Sequence, residues 1–207
     1  MKRISVREIS KIKMKQINLH FLLLIFILTI ISFTPVYAQK ADMDSVLLKY
    51  FEEQDSILRS KIGTSFVDFC LTDLNGNQFT EKQLIGKVTL INFWFEGCAP
   101  CVAEFDDLND LYDSFKDNFD FQFLSITFDY PEEVKESITK YKQPYTIYIT
   151  SDKECQKLNF GQGYPTTIIV DKQGKIRLMK NGGYLDKEKI TAQIDSYKQE
   201  VLELLKE

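Results

Sequence analysis

The sequence predicts an α/β fold, a central mixed sheet flanked by helices with a β-hairpin and a short helical extension ahead of it. Three observations carry that expectation. Val88-Thr89-Leu90-Ile91-Asn92-Phe93-Trp94-Phe95 is a nearly continuous apolar run rich in β-branched and aromatic residues, the pattern of a strand buried on both faces of a covered sheet. Strand-like and helix-like segments then alternate as far as Ile149, which places helices between the strands. The chain ends in two strand-like segments joined by Asp171-Lys172-Gln173-Gly174 and followed by a long amphipathic helix, and this adds an antiparallel edge.

The elements follow in order. Val46, Leu47, Tyr50, Phe51, Ile57 and Leu58 recur at helical spacing between Asp44 and Arg59, so residues 39–62 are expected to form a helical extension that packs on the main domain and stops before Gly63. Phe66–Leu71 and Gln78-Phe79 flank Asp73-Leu74-Asn75-Gly76-Asn77, and Asn-Gly between strand-like segments signals a hairpin. Beyond the buried run, Pro100–Phe115 reads as one helix and Phe121–Phe128 as a second buried strand. Pro131–Tyr141 is a helix opened by proline, and Tyr145–Ile149 a third strand. Thr166–Val170 and Lys175–Met179 form the last hairpin, after which Asp186 caps a helix carrying Ile190, Ile194, Tyr197, Val201, Leu204 and Leu205. The main domain is therefore expected over 63–207.

With 207 residues, 44% of them hydrophobic and 27% charged, the chain is long enough for one domain with a true core and sits outside the disordered and collagen-like classes. Residues 1–38 hold six basic residues and one acid, Glu8. From Gln39 onward 20 basic and 29 acidic residues remain, a balance of −9. A body that acidic has no field to attract phosphates, so nucleic acid is excluded as a partner. The single histidine, His20, lies in the same leader. The body therefore lacks the imidazole that a Ser-His or Cys-His couple, a histidine-ligated zinc site or a c-type haem attachment requires.

The leader reads as an export signal over 1–38. A basic stretch precedes the thirteen residues Phe21–Phe33, and Val36-Tyr37-Ala38 ends in small residues. Thirteen helical residues rise about 20 Å, short of the roughly 30 Å hydrocarbon core, which fits a signal peptide cleaved after Ala38. Met14 offers a second start, and an uncleaved anchor is the alternative. Both readings place the body outside the cytoplasm, in the periplasm or cell envelope.

Four cysteines occur, and Cys98-Ala99-Pro100-Cys101 falls where the buried strand gives way to a helix. Residues three apart on a helix share a face, so the two sulfurs can close a disulfide with little backbone movement. Phe105, Leu108 and Tyr112, at +4, +7 and +11 from Cys101, form a stripe facing the sheet, so Cys101 points inward. Cys98 is then the exposed nucleophile, its thiolate favoured by the helix N-terminus, and Cys101 the resolving thiol. Zinc needs a second close pair of ligands, whereas Cys70 and Cys155 are far apart in sequence. A purely structural bridge across so short a loop contributes little through chain entropy. No metal and no cofactor is expected.

These residues resemble a family. Phe66-Val67-Asp68-Phe69 with the Asn-Gly hairpin, Gly86-Lys87 leading into Ile91-Asn92-Phe93-Trp94, Cys98-Ala99-Pro100-Cys101 with Glu104, and Gly163-Tyr164-Pro165-Thr166-Thr167 running into Asp171-Lys172-Gln173-Gly174 are similar, in that order, to the exported thiol-disulfide oxidoreductases of the TlpA/ResA type. The resemblance covers about Gly63 to Glu207 and implies a thioredoxin fold. It implies that Pro165 is a cis-proline lying against the cysteine pair and, with Tyr164, Thr166 and Trp94, receiving substrate. It makes Glu104 an acidic residue that tunes the thiols or moves their protons, the alternative being a solvated helix glutamate. Two positions depart from the family pattern: Gly97 stands where an aromatic residue usually precedes the first cysteine, and Asp106 where a proline usually follows the glutamate. Glu96, two residues before Cys98, disfavours the thiolate.

Cys70 and Cys155 make the count even, so a second disulfide and two buried free thiols both remain open. The resulting expectation is a monomeric enzyme acting through a mixed disulfide at Cys98 resolved by Cys101. Its substrates would be disulfides of exported proteins, apocytochrome c among the candidates, and a membrane thiol reductant would return it to the dithiol. Reduction rather than oxidation is expected because Glu96, Glu104, Asp106 and Asp107 crowd the pair in sequence while no Lys or Arg falls between Lys87 and Lys116, leaving only the helix terminus to favour the thiolate. A thiol peroxidase of the peroxiredoxin type is a rival reading, weakened because Arg59 and Arg177 are the body's only arginines. A metal-delivery or interaction module on the same fold is another, weakened by the missing histidine.

Overall fold

The computed structural model describes residues 22–24, 26 and 45–207. The expected leader, its cleavage site after Ala38 and the alternative start at Met14 lie outside these residues, except that Leu22, Leu23, Leu24 and Phe26 are helical. Among the described residues no helix is long and apolar enough to cross a membrane. Two compact units divide between Glu53 and Gln54, and every strand, with the site described below, belongs to the second.

A helix over 45–61 (α1) precedes β1 (Cys70–Asp73), β2 (Gln78–Thr80), a 3-10 turn (Glu81–Leu84) and β3 (Val88–Phe93). There follow α2 (Ala99–Ala103), α3 (Phe105–Phe115), β4 (Phe121–Thr127), α4 (Pro131–Tyr141), β5 (Ile147–Ile149) and α5 (Asp152–Leu158). The chain closes with β6 (Thr166–Val170), β7 (Ile176–Asn181) and α6 (Lys187–Lys206). Seven strands form one sheet in the order β2-β1-β5-β4-β3-β6-β7. β3 and β5 run parallel to β4 and every other neighbouring pair is antiparallel. The mixed sheet expected from the sequence is thus present, with antiparallel strands at both edges.

All six residues of β3 are buried, because both its faces carry a core. Val88, Leu90 and Trp94 join Phe105, Leu108, Ile194 and Tyr197 on the side of α3 and α6. Ile91 and Phe93 join Phe69, Leu71, Phe79 and Leu158 on the other. Each such side chain removed from water is worth about 1.5–3 kcal/mol. The polar members of these strands are paired: Asn92 Nδ2 donates to Thr167 Oγ1 at 3.1 Å and Trp94 Nε1 to Ser125 Oγ at 2.6 Å. In the first hairpin Asp73 Oδ1 accepts the N–H groups of Asn75 and Asn77, both at 2.8 Å, around Gly76 at φ 83°.

Several boundaries differ from expectation, β5 beginning at Ile147 rather than Tyr145 among them. β1 starts only at Cys70, since the preceding chain pairs elsewhere: Gly63 N–H donates to Ile176 O at 2.7 Å and Phe66 N–H to Gly174 O at 2.9 Å. β7 continues to Asn181, which faces Thr166 across the ladder. The single helix expected over Pro100–Phe115 divides at Glu104, which ends α2 and begins α3. For the chemistry the decisive pairing is Phe93 opposite Thr166 in the antiparallel β3–β6 ladder. It brings the entrance of β6, with Pro165, beside the exit of β3, where the cysteines follow.

Candidate active site

Cys98 and Cys101 form a disulfide with Cα atoms 5.2 Å apart. Cys98 is the N-cap of α2, and its Sγ accepts the Cys101 N–H at 3.3 Å, while Pro100 occupies the first turn, where no donor is needed. A helix-terminal amide directed at Sγ is the local feature that stabilises a thiolate there. Cys101 is 1% exposed within the cluster that holds Phe105 and Leu108, as the helical stripe requires. Cys98, expected to be exposed, is only 6% so. Bonding to the inward Cys101 draws its sulfur into the same cluster, although it remains the more accessible of the two.

Three turns of chain meet at this end of the sheet. In the first, the Glu96 N–H donates to Asp129 Oδ2 at 2.8 Å, tying the loop between β3 and α2 to the end of β4. Burial raises the Asp129 carboxyl above the usual range, and the bond from Glu96 offsets part of the rise. Glu96 itself is half-buried, and the charge of Lys140 on α4 acts on its carboxylate.

Glu104 lies at the break between α2 and α3. It is 1% exposed, and burial, aided by the negative charge of Asp107, pushes its carboxyl up to about 8. Oε1 accepts from Gln193 Nε2 at 3.3 Å, and Oε2 has no hydrogen-bond partner. At neutral pH this is a largely protonated acid one helical turn beyond Cys101. The solvated alternative does not hold.

The remaining turns are the Tyr164-Pro165 loop and the chain after β7. The Tyr164–Pro165 bond is cis, as the resemblance implies. The Tyr164 ring packs edge-on against Phe95 and Phe128, with centroids 5.3 and 5.4 Å away. Its hydroxyl donates to Asp152 Oδ1 at 3.2 Å and also hydrogen-bonds the Cys155 thiol. At Gly183 a Cβ would stand 2.6 Å from Glu104 Oε1 and 2.9 Å from Pro165 Cγ, so the absence of a side chain lets the backbone touch both. An acid and a cis-proline thereby meet at one bare Cα, the acid at the helix break that follows Cys101.

The comparisons with known proteins agree with this geometry. The AhpC/TSA family model matches residues 62–179, more than half of the chain. The thiol-disulfide oxidoreductase ResA of Geobacillus kaustophilus is 30% identical over 158 residues, covering 74% of this chain and 86% of the relative. The ResA of Bacillus cereus is 28% identical over 128 residues, covering 61% and 72%. Among solved structures, a thiol:disulfide interchange protein from a Bacteroides species superposes with a TM-score of 0.56 at 25% identity, covering 68% of this chain and 90% of that one. The thioredoxin domain of a thiol-disulfide oxidoreductase from Bacteroides vulgatus gives 0.54 at 25%, covering 66% and 96%. The chain is a ResA-like thiol-disulfide oxidoreductase of the AhpC/TSA family. Its fold is the thioredoxin fold.

Three residues of this ResA-like enzyme expected to receive substrate, Trp94, Pro165 and Thr166, do not face outward. Trp94 is fully buried and its only polar atom is spent on Ser125, because strand alternation places it with Val88 and Leu90 on the α6 side of the sheet. Thr166 is fully buried as well. Its hydroxyl donates to Gly163 O at 2.8 Å and accepts from Asn181 Nδ2 at 3.2 Å, so its side chain braces the proline loop. Tyr164 keeps a partly exposed face, whereas Pro165 is buried. Gly97 is exposed, and the neighbouring Phe95 ring, 3.1 Å from where its Cβ would be, supplies the aromatic surface the position lacks.

Cys70 and Cys155 are both free. Leu71 faces the cluster that contains Cys155, and the adjacent Cys70 therefore points out of the opposite face of β1, where it is exposed. No bridge links them, and only one of the two is buried. Cys155 is inert by chemistry too, since burial pushes its thiol up to about 12. The sequence pattern does not single out Asp129, Gly183 or Gln193, none of which carries a local signal.

Proposed function

We propose that the enzyme reduces disulfides of exported proteins, and the observation that carries this reading is Cys98 Sγ at the α2 N-terminus bonded to a deeper Cys101. In the reduced form the Cys98 thiolate attacks one sulfur of a substrate disulfide. That S–S bond breaks, the departing substrate thiolate takes a proton, and a mixed disulfide joins Cys98 to the other sulfur. Cys101 then gives up its proton, Glu104 in its carboxylate form being the acceptor, and attacks Cys98 Sγ. The second substrate thiol leaves, two electrons have passed to the substrate, and the enzyme holds the disulfide seen here. A thiol reductant at the membrane restores the dithiol by the reverse exchange. Substrate approaches over the Tyr164-Pro165 loop and the Phe95–Phe128 surface.

Export follows from the 1–38 leader, and the enzyme acts as a monomer in the periplasm or cell envelope. Apocytochrome c, a protein that must present reduced cysteines, fits as substrate. Electron donation is supported by the acidic side chains near the pair in sequence, Glu96 and Asp106 among them, and by the two arginines of the body being committed elsewhere, Arg59 to Asp55 and Arg177 to Asp171 and Glu207. Those engaged arginines also speak against peroxidase chemistry. Equilibration with glutathione tests the direction. A potential nearer thioredoxin's roughly −270 mV than the about −120 mV of a strong oxidant is expected, and a value above about −180 mV overturns the reductase reading. Insulin reduction measured beside peroxide consumption separates the oxidoreductase from the peroxidase.

A further inference from the structure

Gln193 is the point at which a buried polar chain meets a surface cavity. From the site inward, Glu104 Oε1 accepts from Gln193 Nε2 at 3.3 Å, and the same nitrogen lies 2.6 Å from the Tyr197 hydroxyl and 3.3 Å from Gly182 O. Tyr197 in turn bonds Thr167, and Thr167 bonds Asn92. Glu104, Tyr197, Thr167 and Asn92 are each at most 2% exposed. Gln193 alone in this chain is half-exposed, and it lines a cavity of about 770 Å³ together with Lys180, Gly183, Tyr184, Lys189 and Ser196.

We propose that Gln193 is the positioning residue of Glu104, holding its carboxyl from the cavity side and so setting how readily that acid gives up its proton. The proposal rests on the reading of Glu104 as the acceptor of the Cys101 proton. A donor to Oε1 stabilises the carboxylate more than the acid, and it is the one hydrogen bond Glu104's side chain makes among the described residues, Oε2 having none. The other groups facing Glu104 oppose ionisation or are neutral: Asp107 on α3, whose charge is answered by Lys187, Tyr197 on α6 and Tyr184 beyond Tyr197. Gln193 is thus the group through which the fold moderates a proton affinity that burial has raised.

The test replaces Gln193 with Leu, which fills the space without a donor, and with Asn, which keeps the amide but falls one carbon short. Carbon-13 NMR of the oxidised protein follows the Glu104 carboxyl, assigned by its loss in Glu104→Gln. Both variants should raise its midpoint by about 0.5–1 pH unit. The pH at which the mixed disulfide is resolved should shift by the same amount with KM unchanged, and neither shift should appear in a Glu104→Gln background. An unmoved Glu104 midpoint in folded Gln193→Leu and Gln193→Asn protein overturns the inference, as does an equal loss of rate with and without Glu104. A midpoint that moves while the resolution profile stays in place upholds Gln193 as the positioning residue and instead removes Glu104 from the proton transfer.

Discussion

Replacing Gly183 with alanine should disturb two parts of the site at once. The backbone at Gly183 lies outside the left-handed region, so alanine meets no conformational penalty there and the effect is purely one of space. The added Cβ would lie 2.6 Å from Glu104 Oε1 and 2.9 Å from Pro165 Cγ, against an ordinary contact of 3.4 Å or more. The carboxyl must therefore retreat by about 0.8 Å and the proline ring by about 0.5 Å, within a packed interior where overfilling costs about 1–3 kcal/mol. For a domain of this size each kcal/mol lowers Tm by about 2–4 °C, so thermal unfolding should fall by roughly 2–12 °C. Thiol-disulfide exchange turnover should drop with it, since Glu104 is displaced at the helix break that follows Cys101. Calorimetry on four proteins decides the cause: wild type, Gly183→Ala, Glu104→Ala and the double variant. Removing the carboxyl removes the harder of the two clashes, so the second substitution should cost about 1 kcal/mol less in the double variant than alone. Strict additivity, or an unchanged Tm in Gly183→Ala, would refute the argument.

Three further outcomes are expected. Cys98→Ser should abolish turnover and trapping, whereas Cys101→Ser should accumulate mixed disulfides recoverable by non-reducing electrophoresis and mass spectrometry; faster alkylation of Cys101 than of Cys98 in the reduced wild type would reverse the assigned roles. Glu104 keeps its proton to about pH 8 in the native state but loses it near 4.5 when unfolded, so the native state binds more protons in that window and stability falls as pH rises through it. Glu104→Gln should flatten this fall by about 1–3 kcal/mol between pH 5 and 8, measured by urea denaturation, and an unchanged slope would mean that Glu104 ionises freely. Trp94→Phe leaves Ser125 Oγ buried without its donor and should cost about 1–3 kcal/mol of stability while leaving KM for a disulfide substrate unaltered; a large rise in KM would return Trp94 to the binding surface.

Features carried by short stretches of chain are legible in the amino-acid sequence. The β3 run declares its burial through eight consecutive residues, and Cys98 to Cys101 declare a redox pair through spacing and a helix start. Glu104 is half legible, since +3 from Cys101 falls beside the Phe105 and Leu108 stripe, yet its carboxyl charge makes solvent an equal reading. Trp94 misleads, because nearness to cysteines along the chain suggests nearness to substrate, while strand alternation turns its ring toward α6. Gly183 has no signal of its own. Its need for a bare Cα arises where residues 104, 165 and 183 converge, and locally Gly182-Gly183 reads as any turn. Lys140 is hidden similarly: counting charges along the chain near Cys98 omits one that α4 delivers from elsewhere.

The β3–β6 ladder also bears on how such an enzyme can diverge. Cys98 and Pro165 are held together by the opposition of Phe93 and Thr166, across an interstrand gap of about 4.8 Å, and not by the chain between them. Lengthening that intervening chain, for instance at the exposed left-handed turn at Lys142 after α4, changes the route but not the distance. Lineages can therefore insert and remodel segments there to suit new partners while inheriting the thiol chemistry intact.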